Sequence, residues 1–155
     1  MSLFCHYFPK TRTRSQFWVI PVLLLIFGLV PQKVIANEIS INQNTYQIEI
    51  ASNIEQRRLG LMHRESLAGN QGLLLMYPVN GDHKIWMKNM LIPLTLVWIN
   101  QESEVVEVKQ VQPCTKNPCT VYSSSQLSRY VLELNEGPHP VKIGDRVMGL
   151  QELTP

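Results

Sequence analysis

Trp86-Met87-Lys88-Asn89 is the stretch whose residue types best suit a ligand-facing rim. Trp86 offers a flat apolar platform. Lys88 and Asn89 offer N–H donors, and the Asn89 amide oxygen also accepts. The same four residues fit a strand end, with Trp86 in the core and Asn89 bending the chain through its side chain. Arg58 and Arg64 flank Gly60-Leu61-Met62. Two guanidiniums near a helix end could hold a carboxylate or phosphate through forked hydrogen bonds. The alternative is a pair of solvated arginines facing Glu55 or Glu65, where an ion pair contributes little. Arg57 reads as ordinary helix-surface charge.

Other reactive side chains are scattered. His63 and His83 have no second histidine at ligand spacing, and His139 lies between Pro138 and Pro140. Met62, Met76, Met87, Met90 and Met148 carry soft thioethers that suit Cu(I), but methionine also fills gaps in cores. No metal and no cofactor is therefore expected. Catalytic signatures such as G-x-S-x-G, H-E-x-x-H, a P-loop or a dinucleotide glycine pattern do not occur. Whether the chain is an enzyme is left open.

A scaffold for these residues is legible in the hydrophobic pattern. His83–Asn100 reads as a strand His83–Met87, a turn Lys88–Pro93 and a strand Leu94–Ile99, rich in aromatic and β-branched residues. Ile39–Ile41 and Tyr46–Ala51 read as a hairpin with Asn42-Gln43-Asn44 as its turn. Ser52-Asn53-Ile54-Glu55 fits a capping box that opens a helix to about Leu59, and Gly60 fits its C-terminal cap. Leu73–Tyr77 is a short buried strand, and Pro78–Asp82 a turn. Glu104–Val111 places Val106 and Val108 on one face and Glu107 and Lys109 on the other. Tyr130–Leu134 separates Val131 from Leu132, with Glu133 beside them. Gly144-Asp145 turns into a last strand, Arg146–Leu150. Many short strands with one clear helix predict a β-rich α+β domain, a rolled sheet or small barrel that protects its edges.

The first 36 residues read as a cleaved signal peptide. Lys10, Arg12 and Arg14 precede an apolar run from Phe17 to Val30, and Val34-Ile35-Ala36 supplies small residues before Asn37. The run falls short of a membrane span of about 20 residues, so no stable anchor is expected after cleavage. Residues 37–155 then form a single domain, exported to the periplasm or outside the cell. It carries 10 basic and 12 acidic residues, against +2 for the whole chain. No basic run interleaves with aromatics, which excludes nucleic acid as a partner. Cys114 and Cys119 remain after cleavage, and two cysteines in an exported chain suggest one bridge.

Taken together, several stretches resemble the domain of unknown function 192 family, small and often exported bacterial and archaeal proteins. They are Arg58-Leu59-Gly60-Leu61-Met62 with Arg64, Gly72-Leu73-Leu74, Trp86-Met87-Lys88-Asn89, Ile92-Pro93-Leu94, Pro113-Cys114 to Cys119, Tyr130-Val131-Leu132-Glu133-Leu134-Asn135 with Gly137, and Gly144-Asp145. The resemblance implies a compact β-barrel-like domain and no assigned activity. It departs at Met90, where the family usually has Thr, and at Thr95, where it usually has Asp. Glu133 and Asp145 are acids in matched positions. Acid–base work by the pair would need them on opposite sides of one cleft, and Asp145 is more simply a turn residue. The expectation is an exported domain that binds a small ligand or an envelope partner through Arg58, Arg64, Trp86, Lys88 and Asn89. An envelope enzyme, of hydrolytic or other unassigned reaction, and a structural or assembly role are the alternatives.

Overall fold

The computed structural model describes residues 37–153, so the expected signal peptide at 1–36 lies outside the described residues. The elements run β1 (Glu38–Ile41), β2 (Asn44–Ala51), α1 (Ile54–Leu59), β3 (Gln71–Gly81), β4 (Ile85–Trp86), β5 (Leu94–Ile99), β6 (Val105–Val111), β7 (Val121–Tyr122), β8 (Ser128–Asn135) and β9 (Val147–Met148). A 3-10 turn, Leu150–Glu152, follows. Seven strands make one sheet in the order β6-β5-β8-β3-β2-β1-β9, while β4 pairs with β7 apart from it. Within the main sheet β2 and β3 are parallel, because the chain crosses over through α1 between them. The other pairings are antiparallel.

The sheet curls until its edges meet. Glu104 bridges Arg146, the Val147 N–H donates to the Ser103 carbonyl at 2.8 Å, and the Val105 N–H donates to the Asp145 carbonyl at 2.8 Å. Few ladder groups are thus left open on these edges. The expected β-rich α+β fold, a rolled sheet with one helix, is what forms.

Both faces of the sheet are buried. Inside the curl, Ile39, Ile41, Leu74, Val97, Leu132 and Val147 pack together. On the outer face, Leu73, Leu75, Leu96, Trp98 and Val131 are covered by Leu61, Ile85, Met87 and Met90 from the connecting segments. All six residues of β5 are buried as a result, the polar Thr95 included, as a strand covered on both faces requires.

Local differences from the sequence expectations have physical reasons. Asn42 and Gln43 alone make the first turn, both at positive φ (49° and 68°), the backbone of a tight two-residue hairpin. Asn53, not Ser52, caps α1. Its side chain accepts from the Gln56 N–H at 2.8 Å, and Gln56 Oε1 accepts from the Asn53 N–H at 3.2 Å. Asn-x-x-Gln is as good a capping box as Ser-x-x-Glu, and β2 stays paired as far as Ala51, which delays the turn by one residue. β3 runs through Pro78 to Gly81, tolerating the proline where its register with β8 slips. His83–Met87 shortens to β4 and pairs with β7, so it forms no hairpin with β5. A bulge between Trp98 and Ile99 in the β5–β6 ladder puts Val106 on the outer face and Val108 on the inner one, not on the same face. The last strand ends at Met148, because Gly149 at φ 89° turns the chain into the 3-10 segment.

Candidate functional site

Alternation along β8 decides where Glu133 goes. Leu132 and Leu134 point inside the curl, so Val131 and Glu133 share the outer face. Glu133 lies between Leu73 of β3 and Leu96 of β5 and is only 5% exposed. Its Oε2 has no hydrogen-bond partner among the described residues. Burial pushes its pKa up to about 7, and the charge of Arg64 opposes the shift without cancelling it.

The carboxyl lies in the lining of a cleft of about 340 Å³. Leu61, Leu75, Ile85 and Met90 give the cleft apolar walls, while Trp86, Arg58 and Lys84 are exposed lining residues. One end of α1 closes over the carboxyl. Gly60, at φ +52°, sits so that a Cβ there would lie 3.5 Å from Glu133 Oε2. Only glycine adopts this backbone cheaply, so the cap seen in the sequence also places the loop over the acid.

A second groove of about 260 Å³ adjoins the first and shares Arg58, Leu59, Met62 and Trp86 with it. Lys88 and Asn89 line this groove. Lys88 Nζ stands 5.3 Å from the centre of the Trp86 ring, within cation–π range. Trp86 is 42% exposed, a platform and not a core residue. Asn89 has φ 58°, and its carbonyl accepts from the His63 N–H at 3.0 Å, so it is a turn residue that also lines a groove.

Of the five residues singled out by sequence, Arg58, Trp86, Lys88 and Asn89 therefore meet around one continuous depression. Arg64 does not line it. Its guanidinium makes a two-point ion pair with Glu49 at 2.6 and 2.5 Å, and this bond holds the Glu49 carboxyl below its usual range. Neither expected partner, Glu55 or Glu65, holds it. Arg58 has no hydrogen bond or ion pair among the described residues. Arg57, in contrast, is tied to the Ser52 and Met76 carbonyls and lies 5.0 Å from the Tyr77 ring. Tyr77 stacks on His83 with ring centres 3.5 Å apart.

Sequence reasoning missed Tyr77, Lys84 and Met90 as cleft residues. Glu133 had one legible signal: an acid in step with Val131 in a strand whose two faces are both apolar. Asp145 is remote in role. Its Oδ2 accepts from Asn42 Nδ2 and from the Lys142 N–H, holding a turn, so it forms no carboxylate pair with Glu133. Thr95 pairs with Leu134 and alternates with Val97 and Ile99, which places it inside the curl, on the sheet face opposite Glu133. Among the described residues no three His, Cys, Asp or Glu side chains group to hold a metal ion. Met62 and Met90 line the cleft, Met87 is buried in the outer cluster, and Met148 is exposed elsewhere.

The disulfide braces this site from behind. Cys114 and Cys119 are bonded, with Cα atoms 5.6 Å apart. The Cys114 N–H donates to the Met87 carbonyl at 3.0 Å. The loop leads into β7, whose Val121 pairs with Trp86. Closing a short loop limits the freedom of β7, and β7 in turn fixes the strand that carries the tryptophan.

No curated protein matches the chain. A Sinorhizobium meliloti protein, provisionally described as a transcription regulator, is similar in structure. It has a TM-score of 0.67 and 27% identity over 73% of this chain and 94% of that one. A Novosphingobium aromaticivorans protein of unknown function shares the fold, with a TM-score of 0.66 and 22% identity over 71% of this chain and 82% of that one. The pattern of the DUF192 family, described as Uncharacterized ACR, matches residues 36–149. The chain belongs to that family.

Proposed function

We propose that this DUF192 member is an exported domain, periplasmic or extracellular, that binds a small ligand in the cleft over Glu133. The observation that carries the reading is the free Oε2 of a buried carboxyl in a cleft whose inner walls are apolar. A buried polar group without a partner costs stability, and a ligand atom would supply the missing hydrogen bond. The cleft has the size and the mixture of apolar walls and few polar groups usual for small-molecule sites. The basic segment, apolar run and small residues before Asn37, together with the disulfide, support export.

Binding is favoured over catalysis because no Ser, Thr, Cys, His or second carboxylate lines this cleft with Glu133. The one hydroxyl in the lining is the Tyr77 phenol, which burial and the charge of Glu133 hold in its protonated form, and an acid with that neighbour and no other relay group is poorly equipped for hydrolysis. Regulation of transcription, suggested by the description of the S. meliloti relative, finds no support in the charge of residues 37–155, which lack a basic run. Trp86 provides the test. Its indole N–H resonance, distinct from that of the fully buried Trp98, is followed while the purified, oxidised protein is screened against sugars, organic acids, amines and peptides. Perturbation of Trp86, lost in Glu133→Leu, supports the site. Binding that leaves Trp86 unmoved places the ligand elsewhere and overturns the reading.

A further inference from the structure

We infer that the ligand of this cleft is an organic anion with an apolar body, and that Glu133 binds it as the neutral acid. The inference rests on the cleft being the binding site, as proposed above, and adds the class of ligand and its coupling to a proton.

Charge at the cleft is lopsided. Arg57, Arg58 and Lys84 line it against one acid. Arg57 is occupied by two carbonyls, and Lys84 reaches Asp82 at 3.4 Å. Arg58 is exposed and unpaired among the described residues, and the adjoining groove sets Arg58 and Lys88 against a single acid, Glu55, so cations remain in excess there too. Such an arrangement attracts anions and repels amines. A polyol fits poorly for a different reason. Leu61, Leu75, Ile85 and Met90 offer its hydroxyls no partners, and stranding them costs free energy. An anion with an apolar body suits the whole surface, with its body against Trp86 and Met90 and its charge near Arg58.

The acid then decides the protonation state. Two anionic oxygens cannot share a buried site, so a ligand carboxylate meeting Glu133 requires one proton between them. Glu133 supplies it as an O–H donor from Oε2, making a short charge-assisted hydrogen bond. The groups facing Glu133 are few. The end of α1 presents Gly60 backbone without charge. Arg64, in the segment after it, favours the ionised form. β3 presents Tyr77, on which Glu133 acts through its charge. Arg57, Arg58 and Lys84 complete the lining. None of these is a competing acid, so the proton that binding requires resides on Glu133.

The test uses three probes with one body and different heads: phenylacetate, phenylacetamide and phenethylamine. Each is titrated into the purified, oxidised protein while the Trp86 indole resonance is followed at pH 5.5, 7 and 8.5, and the same three heads are repeated on cyclohexyl and hexyl bodies. Phenylacetate is expected to bind at least about tenfold more tightly than either isostere at pH 5.5, and to weaken roughly tenfold per pH unit above 7. Glu133→Gln, whose amide still donates, should bind phenylacetate with an affinity independent of pH. Arg58→Ala should weaken the acid and leave the amide unchanged. Amide or amine binding as tight as the acid, or an acid affinity that is flat with pH in the unsubstituted protein, overturns this inference while leaving the binding site in place. Failure of every head on every body to move Trp86 overturns the inference and the binding reading together.

Discussion

Glu133 carries a carboxyl into the buried part of the outer face, in step with Val131 and between Leu73 and Leu96. Its pKa rises from the ordinary 4.5 to about 7 in the folded chain. The folded state therefore holds a proton that the unfolded state releases between these values. Stability is full below about 4.5 and is lost as pH rises through about 7. Replacing Glu133 by Gln removes that dependence. The variant is expected to match the unsubstituted protein near pH 4 and to exceed its stability at pH 8 by up to about 3 kcal/mol, read by urea unfolding at both pH values. A variant less stable at pH 8 would mean that the carboxylate is partnered. The Arg64–Glu49 pair is a contrasting case. Its side chains are 36% and 59% exposed, so Glu49→Gln should change stability by less than about 1 kcal/mol in the same experiment. Arg64→Gln should also move the Glu133 titration upward, because the positive charge opposing the burial shift is gone.

Among the elements, the weakest is the β4–β7 pair, two residues against two, carrying Trp86 on a ladder outside the main sheet. Cys114 and Cys119 close the loop that leads into it. Changing both to Ser should cost about 2 kcal/mol. Amide exchange should rise first at Ile85, Trp86, Val121 and Tyr122, while β5 and β8 remain protected, because local opening follows local packing. Equal loss of protection in β5 would show that the loop supports the whole sheet. This element also marks where sequence reading stops. Leu94–Ile99 was legible because five of its six residues are apolar and fall on both faces, which need burial on both sides. The partner of His83–Met87 was not, since pairing with Val121–Tyr122 depends on a loop more than thirty residues away. The register slip in β6 was hidden for a similar reason: Val105 and Val106 are equally apolar, and only the bulge separates their faces.

For the molecule as a whole, the inside of the curl is filled and the outer face holds the cleft. Closure relies on β9 reaching β1 and on the bridge from Glu104 to Arg146. Gly149 permits it with φ 89°, and a Cβ there would lie 2.7 Å from the Glu38 carbonyl oxygen. Gly149→Ala should therefore cost about 1–3 kcal/mol in thermal or urea unfolding, and a neutral substitution would mean that the closing segment is not held against β1. The filled interior also separates the two departures from the family's usual residues. Thr95 lies inside, while Met90 lines the cleft, so Met90 is the one placed to touch the proposed ligand. Class of fold and bridge were readable from residue order, because each rests on local pattern. The cleft was not, because Glu133, Gly60 and Trp86 meet only after the sheet has ordered β3, β8 and β5. The central claim is that Glu133 is a buried, unpaired acid awaiting a ligand oxygen. A ¹³C NMR titration of its side-chain carboxyl, with and without phenylacetate, tests this most directly. The account predicts a midpoint near 7 in the free protein that moves higher when phenylacetate binds. A midpoint at the ordinary 4.5, unmoved by the probe, would contradict it.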